Sequence, residues 1–189
     1  MNLPNKLTIA RIVMVPVFAV FAYAACVHGN RAMYMLAGAL FLAASVTDVL
    51  DGKIARKRNL VTDFGKFADP LADKILTTTA FLCMMLEGVC HFAALALILA
   101  REFAVSGLRM VAAEQKNSLV IAANRFGKLK TGLQTITVSV FYLGCALFDR
   151  NSVICDITEA LCWLSALLTV ISGCTYFGSN RAVFNNGLK

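Results

Sequence analysis

Six long apolar stretches constrain the fold of this chain more than any other feature. They cover residues 7–27, 33–50, 71–87, 92–111, 133–148 and 153–176. A bilayer whose hydrocarbon core is about 30 Å thick needs roughly 20 apolar residues for each spanning helix. Only 15% of the 189 residues are charged, whereas soluble domains carry about a quarter. We therefore predict an all-α fold, an integral membrane bundle of six transmembrane helices.

The lengths of these stretches leave only short connections between them. A separate soluble domain has no room, so residues 1–189 are expected to form a single membrane domain. The fourth stretch is interrupted by Arg101, Glu102 and Arg109, and its last turns are expected to leave the lipid. No basic segment precedes the first stretch, which favours a permanent anchor over a cleaved signal peptide.

Basic residues predict the orientation. If both termini face the cytoplasm, 16 of the 18 Lys and Arg residues lie on or near that side, and only Arg31 and Arg150 lie on the other. Cytoplasmic loops carry the excess of Lys and Arg in membrane proteins. We predict a multi-pass protein of the plasma membrane with both termini in the cytoplasm. Its basic face would meet anionic lipid or an anionic substrate, and we expect no nucleic-acid partner.

Two pairs of aspartates occur at helical spacing near one predicted membrane face. Asp48 and Asp51 are three residues apart, and Asp69 and Asp73 are four apart. Residues at these separations share one face of an α-helix. Two acidic helix faces are thus expected to meet across a loop of about a dozen residues. Acidic residues near lipid are costly and usually functional.

A divalent cation is the simplest means of relieving repulsion among four carboxylates. Carboxylate oxygens suit Mg²⁺ or Mn²⁺, whereas zinc prefers His or Cys. Two such ions held by shared carboxylates can clamp a diphosphate and stabilise attacking and leaving oxygens. A solvated loop of ordinary acidic residues would explain the charge but not the helical spacing.

The acidic segment resembles the signature of the CDP-alcohol phosphatidyltransferases. Its eight fixed positions span 26 residues: Asp48, Asp51, Gly52, Ala55, Arg56, Gly65, Asp69 and Asp73. The opening of the chain, from Asn2 to Pro16, and the segment from Gly127 to Gln134 resemble one branch, the phosphatidylglycerophosphate synthases.

The resemblance implies a role for each matching residue. Asp48, Asp51 and Asp69 would hold one metal ion, and Asp48, Asp69 and Asp73 a second. Asp73 would also be the general base. The CDP moiety of CDP-diacylglycerol would contact Gly52, Arg56 and Thr62. The resemblance further implies a homodimer in a bacterial inner membrane, with the active site on the cytoplasmic side.

The implied reaction is a direct transfer to glycerol 3-phosphate that releases CMP. It needs no covalent intermediate on the enzyme. His28 and His91 lie near the far-side ends of predicted spans, so neither is expected to act as a nucleophile.

The acceptor phosphate requires cations of its own. Arg101, Arg109, Lys128 and Lys130 lie at the end of the bundle that carries the aspartates, and Glu102 and Ser106 share a helix face with Arg109. Guanidinium forks and ammonium groups suit a small phosphate. Alternatively, these cations extend to lipid headgroups without binding substrate.

Three other functions remain open from the residues. The same chemistry could use inositol phosphate, serine or phosphatidylglycerol as the acceptor. A cation transporter would place acids deep in its spans and often repeat a motif, and no repeat is present. A metal-stabilised structural protein would leave Gly52, Arg56 and Gly65 unexplained.

Overall fold

A computed structural model describes residues 3–57, 63–114 and 125–179, with side chains described within 8–48, 71–107 and 127–176 and at Gly178. These residues form six α-helices and no strand. The helices are α1 (Leu3–His28), α2 (Arg31–Lys57), α3 (Asp63–Leu86), α4 (Phe92–Glu114), α5 (Arg125–Phe148) and α6 (Ser152–Ser179). Each predicted apolar stretch falls almost entirely within one helix, which confirms the all-α fold.

The helices extend past the apolar stretches mainly at one end of the bundle. Helix α2 continues to Lys57 and α3 begins at Asp63, so the connection between the two acidic faces is shorter than the dozen residues predicted. An α-helix satisfies its own backbone hydrogen bonds, and it therefore continues where the sequence ceases to be apolar.

Tight turns join the helices at the opposite end, which we call the turn end. Gly29, Gly88 and Asp149 adopt positive φ angles of 60°, 76° and 59° in these turns. The side chain of Asn30 accepts a hydrogen bond from the Ala32 amide at 2.8 Å and so caps the start of α2. Because these short turns reverse the chain, the starts of α1, α3 and α5 and the ends of α2, α4 and α6 lie together at the other end, the site end.

An aromatic cluster fills the core between α1, α2 and α5. Phe18 packs against Phe41 and Tyr142 at ring-centroid distances of 5.9 Å and 5.5 Å. Helix α2 approaches α5 closely at Gly38, where a Cβ atom would lie 2.9 Å from Cδ2 of Leu143. Glycine at this position allows the helices to pack at that distance.

Charged residues at the turn end hold its loops together. The Tyr34 hydroxyl donates to Glu87 at 2.7 Å, and Arg150 Nε lies 3.2 Å from the same carboxylate. Arg31 pairs with Asp149. The two cations that the sequence places apart from the others, Arg31 and Arg150, thus lie together at the turn end.

The surface of the bundle is apolar enough for lipid. Large apolar side chains are exposed along it, including Phe92 at 71%, Phe103 at 68% and Val20 at 66%. Such extensive exposed apolar surface indicates contact with a membrane. Within the described part of the chain, three segments are long and apolar enough to cross one: Thr8–His28, Gly127–Phe148 and Ser152–Tyr176. The chain is a membrane protein, and six spans remain a prediction.

Candidate active site

Helices α1 and α2 meet at the site end through an ion pair. Arg11, on the first turns of α1, is 1% exposed, and its Nη1 lies 2.5 Å from Oδ1 of Asp48 on α2. A buried guanidinium requires such a partner because desolvation of an unpaired charge is costly. One of the predicted metal ligands is therefore held by a cation from another helix.

Asp73 lies at the same end of the bundle, on the first half of α3. Its side chain is largely removed from solvent, and the positive charges of Arg11, Lys130 and Lys74 act on its carboxylate. Because Arg11 also pairs with Asp48, it connects the two aspartates electrostatically. Arg11 is thus a positive charge that both Asp48 and Asp73 share.

The other residues of the acidic signature are described by their backbones alone. Asp51, Gly52 and Arg56 lie on α2, and Asp69 lies on α3. Asp48 and Asp51 therefore lie on one unbroken helix and Asp69 and Asp73 on another, so the members of each pair share a helix face, as predicted. Thr62 lies outside the described residues. Among the side chains that are described, no group of three or more potential metal ligands occurs.

Two of the predicted acceptor cations lie next to each other across α4 and α5. Lys130 is 2% exposed and forms an ion pair with Glu102. Arg101 Nη1 lies 3.9 Å from the same carboxylate, and its Nη2 donates to the Ser172 hydroxyl on α6 at 2.7 Å. Lys128 is exposed. Arg109 lies on α4, and its side chain is outside the described set.

Helix α4 is also linked to α3. Lys74 donates from Nζ to the Ser106 hydroxyl, and that hydroxyl donates to the Glu102 carbonyl at 2.7 Å. The Cγ of Arg101 would lie 3.1 Å from a Cβ at Gly173, so α4 and α6 also approach closely. These contacts fix the cations of α4 and α5 relative to Asp73.

A cleft opens between α3, α4 and α5 beside Asp73. Its lining is charged nearest the site end and then carries hydroxyl and amide groups, and apolar side chains line the deeper part. The lining residues are Asp73, Lys74, Thr77, Thr78, Phe81, Leu95, Ile98, Leu99, Glu102, Thr131 and Gln134.

Three residues of this end, Arg11, Lys74 and Gln134, are not among the site residues predicted from the sequence. Arg11 and Gln134 belong to the segments that resemble one branch of the family, which was the available indication. Lys74 directly follows Asp73 and was counted only as a basic residue of that face. Arg11 and Lys74 belong to the site because each contacts a residue on a different helix. Helical spacing within one segment does not reveal such pairs.

The two histidines lie away from this end. His91 stacks against Trp163 at a centroid distance of 5.7 Å, and His28 ends α1. Both are at the turn end, as expected. A carboxylate surrounded by cations can accept a proton from an alcohol whose phosphate those cations hold.

Comparison with known proteins identifies the family to which the chain belongs. The model of the CDP-alcohol phosphatidyltransferase family matches residues 1–171. The chain belongs to this family. A Bacillus subtilis protein named CDP-diacylglycerol–glycerol-3-phosphate 3-phosphatidyltransferase is 42% identical to it, over 95% of each chain.

Further relatives carry similar names. A Rickettsia typhi protein named CDP-diacylglycerol–glycerol-3-phosphate 3-phosphatidyltransferase is 42% identical, over 97% of this chain and 99% of its own. A Mycobacterium tuberculosis protein named probable phosphatidylglycerophosphate synthase is 36% identical, over 93% and 79%. The resemblance seen in the sequence is confirmed, and the chain is an enzyme of this family.

Proposed function

We propose that this enzyme transfers the phosphatidyl group of CDP-diacylglycerol to the sn-1 hydroxyl of glycerol 3-phosphate, which gives phosphatidylglycerophosphate and CMP. The observation that carries the proposal is 42% identity, over 95% of both chains, to a relative named for this reaction. The site end supports it, because Asp73, Lys74 and Glu102 line one cleft and Lys130 pairs with Glu102.

The acidic residues fit divalent cations by the chemistry of their donors. Asp48, Asp51 and Asp69 would hold one Mg²⁺ or Mn²⁺ ion, and Asp48, Asp69 and Asp73 a second, all through carboxylate oxygens. When bound, the ions supply positive charge that neutralises the diphosphate and the departing CMP. Arg11 keeps Asp48 in position, since its buried guanidinium pairs with that carboxylate.

The remaining residues would bind and orient the two substrates. Gly52, Arg56 and Thr62 would contact the CDP moiety. Asp73 would take the proton of the attacking hydroxyl. The cations proposed for the acceptor phosphate are Arg101, Arg109, Lys128 and Lys130, of which Lys130 is fully buried and paired with Glu102.

We also propose six membrane spans in one domain, with the site end and both termini in the cytoplasm of a bacterial cell. The separation of Arg31 and Arg150 from the basic site end supports this orientation. A homodimer in the inner membrane is proposed from the family alone. Labelling of cysteines introduced at Asn2, Asn59 and Lys189 should report one side of the membrane for all three. Opposite sides for the two termini would require an odd number of spans.

An assay of CMP release with several acceptors tests the reaction. The purified enzyme with CDP-diacylglycerol should release CMP with glycerol 3-phosphate far faster than with inositol phosphate, serine or phosphatidylglycerol. Release should cease with EDTA and in Asp69→Asn. Preference for another acceptor would move the chain to a different branch, and EDTA-resistant turnover would refute the metal mechanism.

A further inference from the structure

Most polar groups that line the cleft beside Asp73 already have a partner in the protein. The hydroxyls of Thr77 and Thr131 donate to backbone carbonyls one turn earlier, at 3.0 Å and 3.1 Å. Glu102 pairs with Lys130, and Lys74 donates to Ser106. These groups are held in place by the fold before any ligand arrives.

Gln134 differs from them. Its side chain lines the cleft from α5 and is 4% exposed, yet its Nε2 atom has no hydrogen-bond partner among the described residues. Buried polar groups are nearly always hydrogen-bonded, because an unmet donor costs free energy. An unpaired amide that lines a cleft beside the catalytic carboxylate indicates a ligand acceptor atom there.

The position of Gln134 on α5 indicates which substrate atom this is. It lies four residues after Lys130 and so shares that residue's helix face. Lys130 is one of the cations proposed for the acceptor phosphate, and Asp73, proposed to activate the sn-1 hydroxyl, lines the same cleft from α3. In glycerol 3-phosphate the C2 hydroxyl lies between the reacting hydroxyl and the phosphate.

We propose that Gln134 donates a hydrogen bond from Nε2 to the C2 hydroxyl of glycerol 3-phosphate and so determines acceptor specificity. This inference rests on the proposed function. A site built to hydrogen-bond a substrate hydroxyl discriminates strongly against an analogue that lacks it, because the buried amide is then left unpaired. The apolar deeper part of the cleft offers a second candidate, an ester carbonyl of the lipid substrate, and the experiment separates the two.

The test compares glycerol 3-phosphate with 3-hydroxypropyl phosphate, which lacks only the C2 hydroxyl. The wild type should prefer glycerol 3-phosphate by about tenfold or more in kcat/KM. Gln134→Leu keeps a similar volume and removes the donor, so it should lose this preference, chiefly through a lower kcat/KM for glycerol 3-phosphate. Thr135→Val, one residue along and outside the cleft lining, should retain the wild-type preference.

Equal losses with both acceptors in Gln134→Leu would show a merely structural role and overturn the proposal. The same conclusion follows if the variant keeps the acceptor preference but no longer distinguishes diacyl from dialkyl CDP-lipid, since the amide would then bind an ester carbonyl. Absence of CMP release by the wild type with either phosphate acceptor would contradict the proposed function itself.

Discussion

The buried ion pair between Glu102 and Lys130 should contribute strongly to the stability of the folded protein. Lys130 is 2% exposed and Glu102 18%, and Arg101 lies 3.9 Å from the same carboxylate. Glu102→Gln removes the negative charge and leaves two cations close together, one of them fully buried.

Removal of one partner of a buried pair costs about 3–5 kcal/mol, since the other charge stays desolvated. Glu102 is partly exposed, so we expect the lower figure, about 3 kcal/mol. For a chain of this size that corresponds to a fall in Tm of about 6–12 °C. The double variant Glu102→Gln/Lys130→Gln should recover most of the loss, because no uncompensated charge remains buried.

Thermal unfolding of the purified protein in detergent measures both effects. Glu159→Gln is the matched control, because Glu159 is exposed on α6, and its free energy of unfolding should change by about 0.5 kcal/mol or less. A Tm for Glu102→Gln within 2 °C of the control, by the same conversion, would refute the burial argument. A double variant less stable than the single one would refute the pairing.

Three further predictions concern other parts of the bundle. Gly38→Ala places a Cβ atom 2.9 Å from Cδ2 of Leu143 and 3.2 Å from Cβ of Tyr142, which cannot move without the α5 backbone. It should lower stability by about 1–3 kcal/mol in the same unfolding assay, and an unchanged Tm would contradict the close approach of α2 and α5. Arg150→Ala removes the cation beside Glu87, whose side chain is 4% exposed, so Tm should fall while the kcat of the folded enzyme is retained. Arg109→Ala should reduce kcat/KM for glycerol 3-phosphate by about ten- to a hundredfold, with an unchanged KM for CDP-diacylglycerol, and Arg109→Lys should recover part of it. Equal weakening of both substrates would exclude a specific acceptor role for Arg109.

The helices of this fold were predictable because their determinants are local. An apolar stretch of sufficient length forms a helix in lipid, since no other partner exists there for its backbone. Once the helices are known, the helical repeat places Asp48 and Asp51 on one helix face, and Asp69 and Asp73 on another. Turn positions such as Gly29 and Gly88 likewise lie between the predicted stretches.

Contacts between helices were not predictable in the same way. Arg11 and Asp48 are far apart in sequence, and nothing in the spacing of either indicates the other. Glu102 was predicted to share a helix face with Arg109, yet its carboxylate pairs with Lys130 on a different helix, α5. Such pairs depend on how the helices pack, and Gly38 and Gly173 influence that packing through close approaches that a single sequence does not display.

The central claim is that the chain transfers a phosphatidyl group to glycerol 3-phosphate. Incubation of the purified enzyme with CDP-diacylglycerol, isotopically labelled glycerol 3-phosphate and Mg²⁺ tests it most directly, with the lipid product and CMP measured together. We predict labelled phosphatidylglycerophosphate and CMP in equal amounts, and neither with Asp73→Asn. Release of CMP without a labelled lipid, or an undiminished yield with Asp73→Asn, would contradict the claim.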